Sequence, residues 1–383
     1  MIKFTNDFLS DKVKQLTPYV AGLQPNESGW VKLNTNENPY PPSPKVKEVL
    51  ENTDIAMLAL YPDGDSTNLR EAIAADINIS IARSGYESQC ISADNIFCGN
   101  GSDEVLALAF QAFYSGKTDI LTPDISYGFY PVWGKMYDAG LRQLHLRDDF
   151  TIDPGAYNDA SGVVIANPNA PTSLALGLSC VEKILIQNPK GVVLIDEAYI
   201  DFANVESAVA LLGQNGNNSN VKKCYENLLV VRTFSKSHAL AGLRVGYAIG
   251  HPQLIDALRR ARDAFNSYPL DKLAQTAATA AIQDRPYLEK TIKEVISTRD
   301  KTTANLESIG YHVLPSQTNF ILIKTPDAGD IYNHLLNHKI LARYWPNPKL
   351  KNYLRVSIGT NSDMEAFIQC VQEYTSARQM KPI

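Results

Sequence analysis

The chain has 383 residues, 44% of them hydrophobic, and a formal net charge of −5. That is enough apolar material for a large core divided over about two domains. Acids and bases are interspersed, which leaves no basic stripe for nucleic acid and no polybasic segment for a lipid surface, so small-molecule partners are expected.

No apolar run approaches the roughly 20 residues of a membrane helix, and the first residues lack the charged-then-apolar pattern of a signal peptide. A cytoplasmic protein is expected. The five cysteines (Cys90, Cys98, Cys180, Cys224 and Cys370) are odd in number and scattered. They form no CxxC pair and read as reduced and structural rather than as a disulfide framework.

Residues 1–33 read as an N-terminal arm laid across a surface, because Pro18 and Pro25, followed by Pro39, Pro41, Pro42 and Pro44, forbid a long helix. Residues 34–264 read as a large domain. From about Asn95 to Gly250 short apolar runs alternate with helical patterns, as in a mostly parallel sheet flanked by helices, an α/β fold. The expected strands are Asn95–Cys98, Asp119–Thr122, Leu141–His145, Val163–Ala166, Val192–Ile195, Leu228–Val231 and Val245–Ile249. Residues 265–383 read as a smaller α+β domain. Its expected parts are a helical pair over Ala274–Gly310 broken at Pro286, a strand at Thr318–Ile323, a helix at Asp330–His338 and a last strand at Tyr353–Ile358. The run Gly213-Gln-Asn-Gly-Asn-Asn-Ser-Asn220 reads as a flexible surface loop.

Polar and glycine-rich residues follow each strand, at the edge where open α/β sheets bind ligands. Lys236 stands in Ser235-Lys236-Ser237 directly after the sixth strand, with Arg244 eight residues on. Two hydroxyls and a guanidinium there can hold a phosphate beside a lysine that forms a Schiff base. Asp196 ends the fifth strand, where a carboxylate can keep a pyridine nitrogen protonated. Tyr199 and Asn167 are placed to hydrogen-bond a phenolic oxygen on the same ring, and Tyr127 to stack on its face. Gly101, Ser102 and Asp103 open a helical pattern after the first strand, a credible phosphate cradle. His334 and His338 share a helix face at i and i+4, but no glutamate follows His334 and no third ligand is evident. They read as a solvated face, and no metal is expected.

Together Asn34-Thr-Asn-Glu-Asn38-Pro, Tyr61-Pro-Asp, Gly99-Asn-Gly-Ser, Asn167-Pro-Asn-Ala-Pro-Thr, Asp196-Glu-Ala-Tyr199 and Ser235-Lys-Ser-His-Ala-Leu-Ala-Gly-Leu-Arg244 resemble the fold-type I pyridoxal phosphate aminotransferases. Within them, the pattern is most similar to the histidinol-phosphate aminotransferases, and the similarity covers nearly the whole chain. The resemblance implies pyridoxal 5'-phosphate held by Lys236, with Asp196 at the pyridine nitrogen and Asn167 and Tyr199 at the phenolic oxygen. It implies a homodimer in which Tyr61 reaches the cofactor phosphate of the other chain, and glutamate and 2-oxoglutarate as the second substrate pair. Arg355 resembles the family's carboxylate-binding arginine and Tyr19 its substrate-phosphate tyrosine. Arg343 is a second candidate anion clamp. The sequence departs from the family where glycine usually follows the Asn-Pro-Asn-x-Pro-Thr run, since Ser173 takes that place, and where proline is common, since Ala21 takes that one. An aromatic amino acid aminotransferase, a phosphothreonine decarboxylase and a non-catalytic cofactor-binding regulator share most of these residues and stay open as alternatives.

Overall fold

The computed structural model describes residues 8–20, 22–85, 91–213 and 225–379. Ala21, Cys90, Cys224 and residues 214–220 of the expected loop lie outside the described residues. The strands in chain order are β1 (Val31–Lys32), β2 (Ile96–Gly99), β3 (Ile120–Pro123), β4 (Leu141–Leu144), β5 (Gly162–Ala166), β6 (Val192–Asp196), β7 (Leu228–Thr233) and β8 (Gly246–Gly250). They continue with β9 (His312–Val313), β10 (Phe320–Lys324), β11 (Ile340–Leu341), β12 (Arg343–Tyr344) and β13 (Tyr353–Ser357).

Seven strands form the main sheet in the order β2-β8-β7-β6-β5-β3-β4. All pairs are parallel except those of β8, which runs antiparallel to both β2 and β7. Strands β5 and β7 are buried along their whole length, and that is why they appear in the sequence as unbroken apolar runs rather than as alternating ones. Apolar cores cover both faces of the sheet.

The helix Lys272–Ile282 starts on an Asp271 cap, and its buried alanines pack into the core of the main sheet. The next helix, Arg285–Ser308, carries Pro286 in its first turn, the one place in a helix where the missing N–H costs nothing. Beyond it the antiparallel sheet β12-β13-β10-β9 builds a second core with the helices Ala328–Asn337 and Asn361–Gln379. The arm is tied to this part of the molecule, because β1 pairs in parallel with β11.

Among the helices not individually expected, two are long. One is Thr67–Arg83, which buries Leu69, Ile73, Ile77 and Ile81 at four-residue spacing. The other is Asn361–Gln379, which buries Met364, Phe367, Ile368 and Val371 among many polar residues.

Candidate active site

A cleft of about 850 Å³ opens at the carboxyl ends of the parallel strands. Its lining brings together Ser102, Asp103, Tyr127, Asp196, Tyr199, Ser235, Lys236 and Arg244 from the large sheet. Tyr19 reaches it from the arm, and Arg343 and Arg355 reach it from the small sheet. Each strand ends where its apolar run gives way to polar residues, so the sheet spaces these groups along one edge.

Lys236 lies in the turn after β7, its backbone carbonyl accepting from the Asn38 side chain at 3.0 Å. Its Nζ donates to the Thr35 carbonyl at 3.2 Å and stands 5.7 Å from the centre of the Tyr199 ring. Burial, reinforced by the charges of Arg355 and Arg244, brings its pKa down to about 8, while Glu37 and Asp103 pull the other way. Asp196 is the opposite case. Burial pushes its pKa up to about 6, although the Tyr130 hydroxyl donates to its Oδ2 at 2.8 Å and the Ala198 N–H to its Oδ1 at 3.2 Å. A buried carboxylate that retains part of its charge only through a phenol and an amide is suited to a cationic ring nitrogen.

The anion-binding end is built by close backbone packing. Gly101 has φ +82°, and a Cβ there would come 2.7 Å from the Arg244 guanidinium. A Cβ on Gly246 would come 2.3 Å from the Ser102 nitrogen, so β8 presses directly on the helix start Gly101–Ser102. Arg244 itself has φ +54°, and its Nη2 lies 3.4 Å from Asp103 Oδ2. The other Asp103 oxygen accepts from the Tyr127 hydroxyl at 2.7 Å. The set of a poised lysine, a buried carboxylate and a serine–arginine anion end with glycine clearance fits pyridoxal phosphate.

Some expected residues sit differently. Asn167 is buried outside the cleft lining, its side chain bonded to both backbone groups of Leu176 at 3.0 and 2.7 Å. The Ser237 hydroxyl, expected beside Ser235 on a phosphate, turns away to Asp201 and His238. Tyr61 is 79% exposed and stacks on Tyr268 at 4.7 Å, away from this chain's cleft.

At the mouth, Arg355 is half-buried, donates to the Asn34 carbonyl at 2.8 Å and leaves its buried Nε without a partner. Trp345 packs against both Arg343 and Arg355, at 5.4 and 5.3 Å. Arg343 also donates to the Val20 carbonyl at 2.8 Å, and Tyr19 stacks on Phe129 at 4.5 Å, so the arm closes one side.

Sequence reading alone assigned no role to Tyr130, Asn36 or Trp345. Tyr130 lies three residues after Tyr127 in a strand-end aromatic run, a signal that was available. The Asn36 side chain, which donates to the Tyr199 hydroxyl at 3.0 Å, comes from 163 residues away, a pairing that only the fold reveals.

The solved structures with this architecture include a putative histidinol-phosphate aminotransferase from Erwinia carotovora atroseptica, with TM-score 0.79 and 24% identity over 95% of this chain and all of that one. They also include the histidinol-phosphate aminotransferase of Sinorhizobium meliloti in complex with pyridoxal-5'-phosphate, with TM-score 0.81 and 20% identity over 97% of this chain and 98% of that one. These likenesses establish the fold-type I architecture. Among curated proteins, the histidinol-phosphate aminotransferase of Brachyspira hyodysenteriae is 45% identical over 95% of this chain and 98% of its own length. That of Chromohalobacter salexigens is 44% identical over the same shares. The profile of the family described as Aminotransferase class I and II matches residues 28–371, and the chain belongs to that family.

Proposed function

We propose that the cleft holds pyridoxal 5'-phosphate on Lys236 and that the enzyme moves the amino group of L-histidinol phosphate to 2-oxoglutarate, a step of histidine biosynthesis. The observation that carries this reading is the meeting in one cleft of the partly buried Lys236, the buried Asp196 and the Ser235–Arg244 anion end, with the lysine brought down to about 8 and the aspartate raised to about 6. Two groups shifted in opposite senses from their ordinary values mark acid–base chemistry rather than packing. The relatives at about 45% identity, all bearing that enzyme name, support the substrate.

When bound, the cofactor supplies an electron sink that acidifies the carbon bearing the amino group. Asp196 keeps the ring nitrogen protonated. Tyr199 already accepts from Asn36, which leaves its own hydroxyl hydrogen for the phenolic oxygen. The Gly101–Ser102–Asp103 helix start, Ser235 and Arg244 hold the phosphate. Lys236 Nζ would anchor the cofactor and, as a free amine, would be the atom that carries the proton away from the substrate carbon, its lowered pKa favouring the neutral form.

Histidinol phosphate brings a phosphate and 2-oxoglutarate brings carboxylates, and one mouth must accept both. Planar guanidinium forks grip either group, so Arg355 and Arg343 serve both half-reactions, with Tyr19 beside them. The exposed apolar run Ile55, Met57, Leu58 and Leu60, with Tyr61 and Phe265 nearby, supports a homodimer in which Tyr61 reaches the other chain's cofactor phosphate. The free cysteines Cys98, Cys180 and Cys370 accord with a cytoplasmic enzyme.

A single half-reaction tests the substrate. Cofactor-loaded protein is mixed with L-histidinol phosphate or with phenylalanine, and the change in cofactor absorbance is timed. Histidinol phosphate is expected to react faster by at least an order of magnitude. Faster reaction with phenylalanine, or none with either, contradicts the proposal.

A further inference from the structure

We propose that His334, His338 and Cys370 form a binding site for a zinc-like divalent transition metal in the small domain. By sequence the two histidines lack a third ligand. Folding brings it from the neighbouring helix Asn361–Gln379, and one ligand atom from each of the three residues lies within 4.8 Å of the others. None of the three lines the active-site cleft.

Three features suit a metal rather than a chance cluster. His338 Nδ1 is 2.8 Å from the His334 carbonyl oxygen, and donation there places the free lone pair on Nε2, the arrangement in which a metal-bound histidine is usually held. His334 Nε2 is buried and has no hydrogen-bond partner in the protein, which is costly for a ring nitrogen that nothing else satisfies. Finally, His338 caps the carboxyl end of the helix Ala328–Asn337, where the helix dipole favours a cation.

A divalent ion there drives the Cys370 thiol proton to solvent as the sulfur–metal bond forms. Bond lengths of roughly 2.0–2.3 Å set tetrahedral ligands about 3.3–3.6 Å apart, so small side-chain rotations close the site. His338 is exposed and Cys370 buried, giving an entry side where water completes the fourth position. Two nitrogens and one thiolate select zinc, cobalt or copper over magnesium or calcium.

The test is a Co²⁺ titration of the cofactor-loaded, full-length enzyme. Tetrahedral cobalt has ligand-field bands at wavelengths longer than the cofactor's own absorption. The expected result is one cobalt per chain, bands erased by Zn²⁺, and affinity reduced on the order of 10–100-fold or more in His338→Ala. Cys370→Ser should abolish the bands. Because Cys370 is buried and its variant can lose stability, the exposed His338→Ala keeps the test independent of folding. Absence of the bands in the unaltered enzyme, or bands of unchanged affinity in His338→Ala, overturns the site.

Discussion

The floor and the mouth of the cleft are built in different ways. The floor groups sit at the ends of strands of one sheet: Asp196 closes β6, Ser235 and Lys236 follow the adjoining β7, and the Gly101–Ser102 helix start follows β2, one strand beyond across β8. Asp196 and Ser235 are buried, Lys236 and Ser102 are partly buried, and backbone contacts as tight as that of Gly246 on Ser102 fix them. The mouth is assembled from segments distant in sequence. Tyr19 is 39% exposed on the arm, and Arg343 and Arg355 come from neighbouring strands of the second sheet. On the proposed function this is a division of labour: the sheet would hold the cofactor chemistry in place, while independent segments would meet the substrate.

Substitutions in the two regions should therefore differ in kind. Asp196→Ala removes the fixed charge at the ring nitrogen and should lower kcat on the order of 10²–10³-fold, with little change in KM, as read from steady-state rates with both substrates. A pure KM effect would erase the distinction between floor and mouth.

Arg355→Gln should show the opposite signature. Loss of a charged hydrogen bond of about 1.5–3 kcal/mol lowers kcat/KM for 2-oxoglutarate by roughly 10–100-fold, mostly through KM. It should also move the pH profile. Arg355 holds the Lys236 pKa down, and the neutral amine is the working base, so activity rises with pH through about 8 and the variant's rise should come at higher pH. Glu37→Gln should shift the rise to lower pH, since Glu37 favours the ammonium. Equal shifts in the same direction would contradict the electrostatic account.

Tyr130→Phe removes the hydroxyl that supports the Asp196 charge. It should lower kcat by about tenfold, the scale of one charge-assisted hydrogen bond, and leave KM for both substrates unchanged.

The smallest effect concerns stability. Ser173 adopts φ +64°, a conformation that disfavours residues with a Cβ, and glycine usually occupies this place in the family. Ser173→Gly should raise stability by about 1 kcal/mol, seen as a higher midpoint of thermal unfolding. A lower midpoint would mean that the serine hydroxyl, bonded to the Thr172 carbonyl, outweighs the strain.

The floor was also the more legible region in the sequence. Strands buried on both faces leave continuous apolar runs, and the residue after each run falls on the ligand-binding edge, so Lys236, Asp196 and Gly101 were locatable from chain position. What escaped depends on pairing across the fold. Tyr130 supports an aspartate 66 residues away, and Cys370 completes a histidine pair on a helix it meets only after folding. Ser237 shows the converse limit: adjacency to Lys236 suggested a phosphate ligand, but its side chain turns to Asp201. Neighbouring residues in an irregular turn need not face the same way, whereas residues at the ends of parallel strands share an edge.

The central claim, that Lys236 is the covalent anchor at the floor, is tested most directly by reducing the cofactor-loaded protein with borohydride and mapping the modified peptide by mass spectrometry. The account predicts a pyridoxyl group on Lys236, with loss of both label and turnover in Lys236→Ala. A label on another lysine, or a Lys236→Ala protein that keeps label and turnover, would contradict it.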